Sequence, residues 1–146
     1  MSTQAFLLRI DTIEQAIRDL CDFRVEGEGY RLAYRIAKDN LSLGSNVIAD
    51  CCNPINLTRE EWRSVASSVG AQYKDIEIIC TDLEEHQRRI AKRQSDIPGL
   101  NLPDWSAIQQ RDYHQWITNR IVVDTAGISE IEAFNKLQSL LTQSNA

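Results

Sequence analysis

The feature that most constrains this chain is its alternation of short apolar runs with longer amphipathic stretches. Ala5-Phe6-Leu7-Leu8-Arg9-Ile10, Val47-Ile48-Ala49, Ile76-Glu77-Ile78-Ile79-Cys80 and Arg120-Ile121-Val122-Val123 are too short for helices and read as strands. A strand that is apolar on both sides belongs in a parallel sheet covered on both faces. Each run is followed by a helical pattern, and right-handed crossovers then place helices on either side of the sheet. The expectation is an α/β protein with a mostly parallel sheet, forming one domain over residues 1–146.

The helices are bounded by local signals. Thr12 and Gln15 spell a capping box ahead of Ile13, Ala16, Ile17 and Leu20, which share one helix face. The pattern breaks around Gly27 and Gly29. A second helix then carries Tyr30, Ala33, Tyr34, Ala37 and Leu41 and stops at Gly44. Thr58 with Glu61 opens a third, bearing Trp62, Val65, Ala66 and Val69 and ending at Gly70. Asp82 caps a charged helix from Leu83 to about Gln94, a Pro/Gly loop covers Asp96–Pro103, and a short helix runs from Asp104 through Arg111. Ser129 and Glu132 cap the last helix, whose apolar face holds Ile131, Phe134, Leu137 and Leu141.

Composition narrows the function. With 16 basic and 21 acidic residues the net charge is −5, so no overall basic field exists to bind nucleic acid without regard to sequence. No apolar run approaches the ~20 residues that span a bilayer, and Met1-Ser2-Thr3-Gln4 lacks the basic flank and apolar core of a signal peptide. A cytoplasmic location without membrane partners is expected. Cys21, Cys51, Cys52 and Cys80 are then reduced thiols in a reducing compartment. A zinc site from Cys51, Cys52, Cys80 and His86 has no usual spacing, which leaves the cysteines structural.

In parallel α/β folds ligands sit beyond the carboxyl ends of the strands. Asp11, Asp50 and Asp124 close three strands, and Asp82 follows the fourth. Asp82 reads as a helix cap. Asp11 and Asp50 are candidates for a general base toward a hydroxyl or for a magnesium ligand. Arg88, Arg89, Lys92 and Arg93 form a basic cluster after a strand end and before a Pro/Gly loop, a placement that favours an anion clamp on a movable lid over a solvated face. Asp124-Thr125-Ala126-Gly127 spells the DxxG of GTP-binding proteins, but Asn135-Lys136-Leu137-Gln138 has Gln where the base-reading Asp belongs, so that reading fails. Trp105, Tyr113 and Trp116 suit either a substrate pocket or the packing of the short helix.

Taken together, Leu8-Arg9-Ile10-Asp11-Thr12-Ile13-Glu14-Gln15-Ala16-Ile17-Arg18, Val47-Ile48-Ala49-Asp50 with Asn53-Pro54, Cys80-Thr81-Asp82 through Arg89, Ser95–Leu100 and Val123–Gly127 resemble the small bacterial P-loop kinases often labelled AAA-family ATPases. The chain is similar to gluconate kinase, adenylylsulfate kinase, chloramphenicol phosphotransferase and the zeta toxins. The resemblance implies a P-loop NTPase-like three-layer sandwich and an ATP- and Mg²⁺-dependent transfer of phosphate to a small-molecule hydroxyl. It implies that Asp11 is the base or orienter for that hydroxyl, that Arg18 binds substrate and that Asp50 acts on Mg²⁺ through water. Arg88, Arg89 and Arg93 would belong to a lid within residues 83–103, and Asp124, Thr125, Ala126 and Gly127 would lie against adenine. Arginines in such sites contribute about a thousandfold or more.

One departure is large. No glycine begins a G-x-x-x-x-G-K-[ST] and no Gly-Lys dipeptide occurs. The phosphate cradle, its lysine and the Mg²⁺-ligating hydroxyl are therefore missing. The family's first strand, phosphate loop and following helix, roughly 25–30 residues, would precede Ala5, and that strand would lie between the strands ending at Asp50 and Cys80. The sequence thus leads to an N-terminally shortened, inactive kinase. The alternative is a degenerate nucleotide- or substrate-binding partner subunit. A kinase of nucleic-acid ends is a third reading, which the acidic balance opposes.

Overall fold

The computed structural model describes residues 4–143. They form two compact units, residues 4–73 with 95–102 and 112–114, and residues 74–94 with 103–111 and 115–143. Both are α/β, and each is built on two parallel strands.

The first unit contains β1 (Ala5–Arg9), α1 (Ile10–Leu20), α2 (Glu28–Ser42), β2 (Asn46–Asp50) and α3 (Asn56–Ser68). β1 and β2 pair parallel and in register from Ala5 opposite Asn46 to Arg9 opposite Asp50. Side chains alternate across the sheet, so Leu8 and Val47 share one face while Leu7 and Ile48 share the other. Leu8 joins Ile10, Ala33 and Ala37 in the core, with Val47, Tyr30, Trp62 and Val65 packed against them. Small residues at Ala33 and Ala37 let α2 lie close to the strands. The opposite face is bare: Leu7 is 61% exposed and Ile48 55%. The expected covering of both faces is therefore corrected to one.

The second unit contains β3 (Ile76–Ile79), α4 (Leu83–Lys92), α5 (Trp105–Gln109), β4 (Ile121–Asp124) and α6 (Glu130–Gln143). β3 and β4 pair parallel from Ile76 opposite Ile121 to Ile79 opposite Asp124, and Val123 is fully buried. Ile78, Ile131 and Phe134 stay exposed, so the apolar face expected of α6 is only partly used.

Several boundaries move, for physical reasons. α1 starts at Ile10, directly after β1, which puts Asp11 in its first turn, where a carboxylate suits the helix dipole. Thr12 is consequently not its cap, and Gln15 is a buried residue donating to Asp19. Ala16 and Leu20 of the expected apolar face are exposed. α2 starts at Glu28, whose carboxylate accepts from the backbone N–H groups of Glu26 and Gly27. Gly29 is thus inside the helix and buried, because a Cβ there would collide with Glu14 Cγ. α3 begins two residues before Thr58, whose hydroxyl bonds Ile55. At the remaining ends the local signals hold. Asp82 accepts from Glu85, Asp104 accepts from Ala107, and Ser129 and Glu132 cap reciprocally. Gly44 and Gly70 take the left-handed conformation just past α2 and α3.

Candidate functional site

In the first unit the carboxyl ends of β1 and β2 carry Arg9 and Asp50 side by side. Arg9 donates two hydrogen bonds to Asp96, Nη1 to Oδ2 at 2.8 Å and Nη2 to Oδ1 at 2.9 Å. Its Nε lies 3.7 Å from Asp50 Oδ2. The Asp96 hydrogen bond, reinforced by the fields of Asp96, Asp50 and Asp11, holds the guanidinium above its ordinary value. Arg9 in turn pulls the Asp96 carboxyl below the usual range. A short loop is thereby tied over the strand ends by a bidentate pair. Gly99 of that loop, at φ +76°, comes so close to Gln15 that a Cβ would meet its Nε2 at 3.1 Å.

Asp11 and Asp50 are thus brought around one arginine, and both are exposed. Arg18 lies two turns along α1 from Asp11 and donates to Glu14 at 3.0 Å. Burial raises Glu14 above the ordinary carboxylate value, against the pull of Arg18. Asp11, Glu14 and Arg18 fall on one stripe of the helix, with Glu14 pressed against Gly29. The arrangement offers an accessible carboxylate for a hydroxyl proton and a held guanidinium for an anion.

Beneath the loop after β2 lies a second cluster. Arg59 is 1% exposed and donates to the carbonyls of Asn53 and Pro54 and to Asn56 Oδ1. Its guanidinium sits 5.1 Å from the centre of the Tyr113 ring. Asn53 adopts φ 45°, and its backbone N–H donates to the Tyr30 hydroxyl. Burial raises the Tyr30 phenol and pushes the Cys51 thiol up to about 11.

The second unit places its predicted residues differently. Asp124 accepts from the Thr81 hydroxyl at 2.6 Å, the Thr81 N–H at 3.1 Å and the Ala126 N–H at 3.1 Å, and Thr81 keeps its carboxyl below the ordinary range. Arg89 donates to the Thr125 hydroxyl and carbonyl and to Glu85, whose other oxygen accepts from Gly127. Arg93 donates to the Pro103 carbonyl. Arg88 is exposed on α4. Arg89 and Arg93 are therefore spent on the chain's own loops. Asp124, Thr125, Ala126 and Gly127 form one closed turn. Trp105 meets His86 edge-on, Trp116 stacks with Arg120, and Tyr113 covers Arg59, so all three aromatic residues have packing partners.

The residues present do not make an ATP–Mg²⁺ site by themselves. Nothing in the sequence supplies a phosphate cradle, Asp50 is a single carboxylate beside Arg9, and no group of three or more His, Cys, Asp or Glu among the described residues is arranged to hold a metal ion. No helix of the described residues is long and apolar enough to cross a membrane.

Sequence reasoning missed Arg9, Asp96, Glu14, Arg59 and His114. Two signals were there to be read. Arg9 interrupts an apolar strand, and Arg59 is a cation in the first turns of a helix, the wrong end for its dipole. No protein-family model matches the chain, and no curated protein sequence matches it.

Proposed function

We propose that this chain carries the acceptor-binding side of an ATP-dependent phosphotransferase of the small P-loop kinase type, acting on a small-molecule hydroxyl and inactive without a phosphate-binding loop. The observation that carries the reading is the gathering of Asp11 and Asp50 around Arg9 at the carboxyl ends of two parallel strands. In this reading Asp11 takes or orients the hydroxyl proton, and Arg18 binds an anionic part of the acceptor. The bare face of Leu7 and Ile48 in the first unit supports it too, since a further helix packed on that face would bury them. No chemical step follows from the residues present, because the nucleotide-binding loop is not among them.

The cheapest test is to read the in-frame codons upstream of Met1. A glycine-rich loop ending in Lys-Ser/Thr, after an apolar strand, is expected. Codons without one overturn the proposal.

One observation favours a second reading, a non-catalytic binding subunit. Arg89 and Arg93, which should meet phosphates, bond instead to Thr125 and Pro103. That reading requires the 146-residue chain to melt cooperatively on its own, and calorimetry decides it. A broad, non-cooperative transition removes it.

A further inference from the structure

Three arginines of this chain, Arg18, Arg89 and Arg120, meet Glu14, Glu85 and Glu77, whose side chains are no more than 17% exposed. Arg9 differs, because its partner Asp96 is 74% exposed. Both Nη groups of Arg9 point at the two Asp96 oxygens, and its Nε stands 3.7 Å from Asp50. The fork of this guanidinium is thus turned toward water, with a carboxylate from a loop filling it. The root of the Arg9 side chain is fixed, since Arg9 is the last residue of β1, pairs with Asp50 of β2 and directly precedes α1. Asp96 is held less firmly than the loop that carries it. The Ile97 N–H donates to Ser95 Oγ, the Leu100 N–H donates to the Ile97 carbonyl around left-handed Gly99, and Gly99 rests against Gln15. Asp96 can therefore turn its side chain into solvent while the loop stays in place.

We propose that the Arg9 guanidinium is a binding subsite for a small monocarboxylate, masked in the free chain by Asp96. The exchange is carboxylate for carboxylate. The ligand's two oxygens take the two Nη bonds and Asp96 rotates into water, with no proton moved. Asp96 supplies the acceptors of both Nη groups, so its departure frees two donors. An ion pair this open to water holds weakly, which lets a ligand displace it. Charge sets the ligand class. Asp11 and Asp50 act on the guanidinium together with Asp96. A monocarboxylate in place of Asp96 leaves the charge around Arg9 as it was, whereas a sulfate or phosphate dianion adds a negative charge beside Asp11 and Asp50. The positive end of α1, which starts at Ile10, offsets part of the repulsion. A carboxylate held at this strand end keeps the rest of its molecule beside two accessible carboxylates, where ligands of parallel α/β folds sit. The subsite does not rest on the phosphotransferase reading: the upstream codons decide that reading, and carboxylate binding to this chain decides the subsite.

The test is a nuclear magnetic resonance titration of the full chain with sodium acetate, at about pH 7 and constant ionic strength, where acetate is ionised. The signals read are the Arg9 Nε–H and the Asp96 carboxyl carbon. Acetate is expected to shift both in step and to saturate, with half-saturation on the order of 10 mM. Sulfate is expected not to saturate over the same range. Asp96→Ala removes the internal competitor and should tighten acetate about fivefold, the factor an exposed ion pair is worth. Asp96→Asn, of the same size, should tighten it as well. Arg9→Lys keeps the charge but loses the fork, and should weaken acetate about fivefold or more. Arg24→Gln, at an exposed arginine outside the site, should change nothing. Shifts that rise without saturating overturn the proposal, as does sulfate binding as tight as acetate. So does an acetate affinity unmoved in both Asp96 variants, retained in Arg9→Lys or lost in Arg24→Gln.

Discussion

The two strand pairs end differently, and the difference separates an open site from a closed one. At the end of β3 and β4 every predicted residue but Arg88 is engaged by its own neighbours: Thr81 satisfies Asp124, Arg89 clasps the Thr125 turn, and Glu85 takes the Gly127 amide. At the end of β1 and β2, Asp50 keeps 59% of its side chain exposed and, among the described residues, shares the 3.7 Å approach of Arg9. Polar groups that satisfy one another stabilise a turn. Carboxylates gathered and left accessible have the geometry for chemistry.

Substitutions sharpen the contrast, the largest effects coming from what lies beneath each end. Arg59→Ala removes a buried cation that bonds three acceptors of the loop after β2, and should cost about 3 kcal/mol in urea denaturation. Val123→Ala, which deletes two methyl groups from the most buried site of β4, should cost about 2 kcal/mol. If Arg59→Ala were the milder of the two, the loop after β2 would not be a rigid platform.

At the surface, Asp124→Asn should lower the urea midpoint, whereas Asp50→Asn should leave it nearly unchanged. Asp124 also carries a definite sign in its pH dependence. Hydrogen bonds from Thr81 hold its carboxyl below the ordinary value, so its contribution is present above about pH 4 and fades as the pH falls through the folded-state value. Acid titration of stability should therefore lose part of its slope in Asp124→Asn. Equal effects of the two substitutions would erase the distinction between closed and open ends.

The smallest effect concerns the thiols. Burial pushes Cys51 up to about 11, so its thiolate is about one part in a thousand at pH 8. Cys21 and Cys52 are exposed, and mass spectrometry after brief iodoacetamide treatment should find both alkylated well before Cys51. Early modification of Cys51 would mean that the core beneath the β2 loop opens readily.

Strand positions and most helix ends were legible because their causes are local. Ser129 with Glu132, Asp82, Asp104 and the left-handed Gly44 and Gly70 act within a few residues of where they stand. What escaped was set at a distance. The His114 ring that accepts from the Asn56 N–H at the start of α3 lies 58 residues away, and the Arg9–Asp96 pair spans 87. Gln15 is buried because Gly99 approaches it, which no helical periodicity can show. Of the candidate site, Asp11 and Asp50 were visible as acidic residues near strand ends. The arginine that gathers them was hidden inside an apolar run. The basic cluster of α4 could not be resolved from sequence, since charge at helical spacing is the same whether it meets a phosphate or the chain's own carbonyls.

Titration calorimetry with Mg²⁺-ATP distinguishes an acceptor-binding side that needs a phosphate-binding loop from a chain that binds nucleotide unaided. The 146-residue chain should show no saturable binding up to the millimolar range, and the same chain preceded by its in-frame upstream codons should bind. Saturable binding by the 146-residue chain tighter than about 100 μM, or an extended chain that stays silent, would contradict the acceptor-side reading.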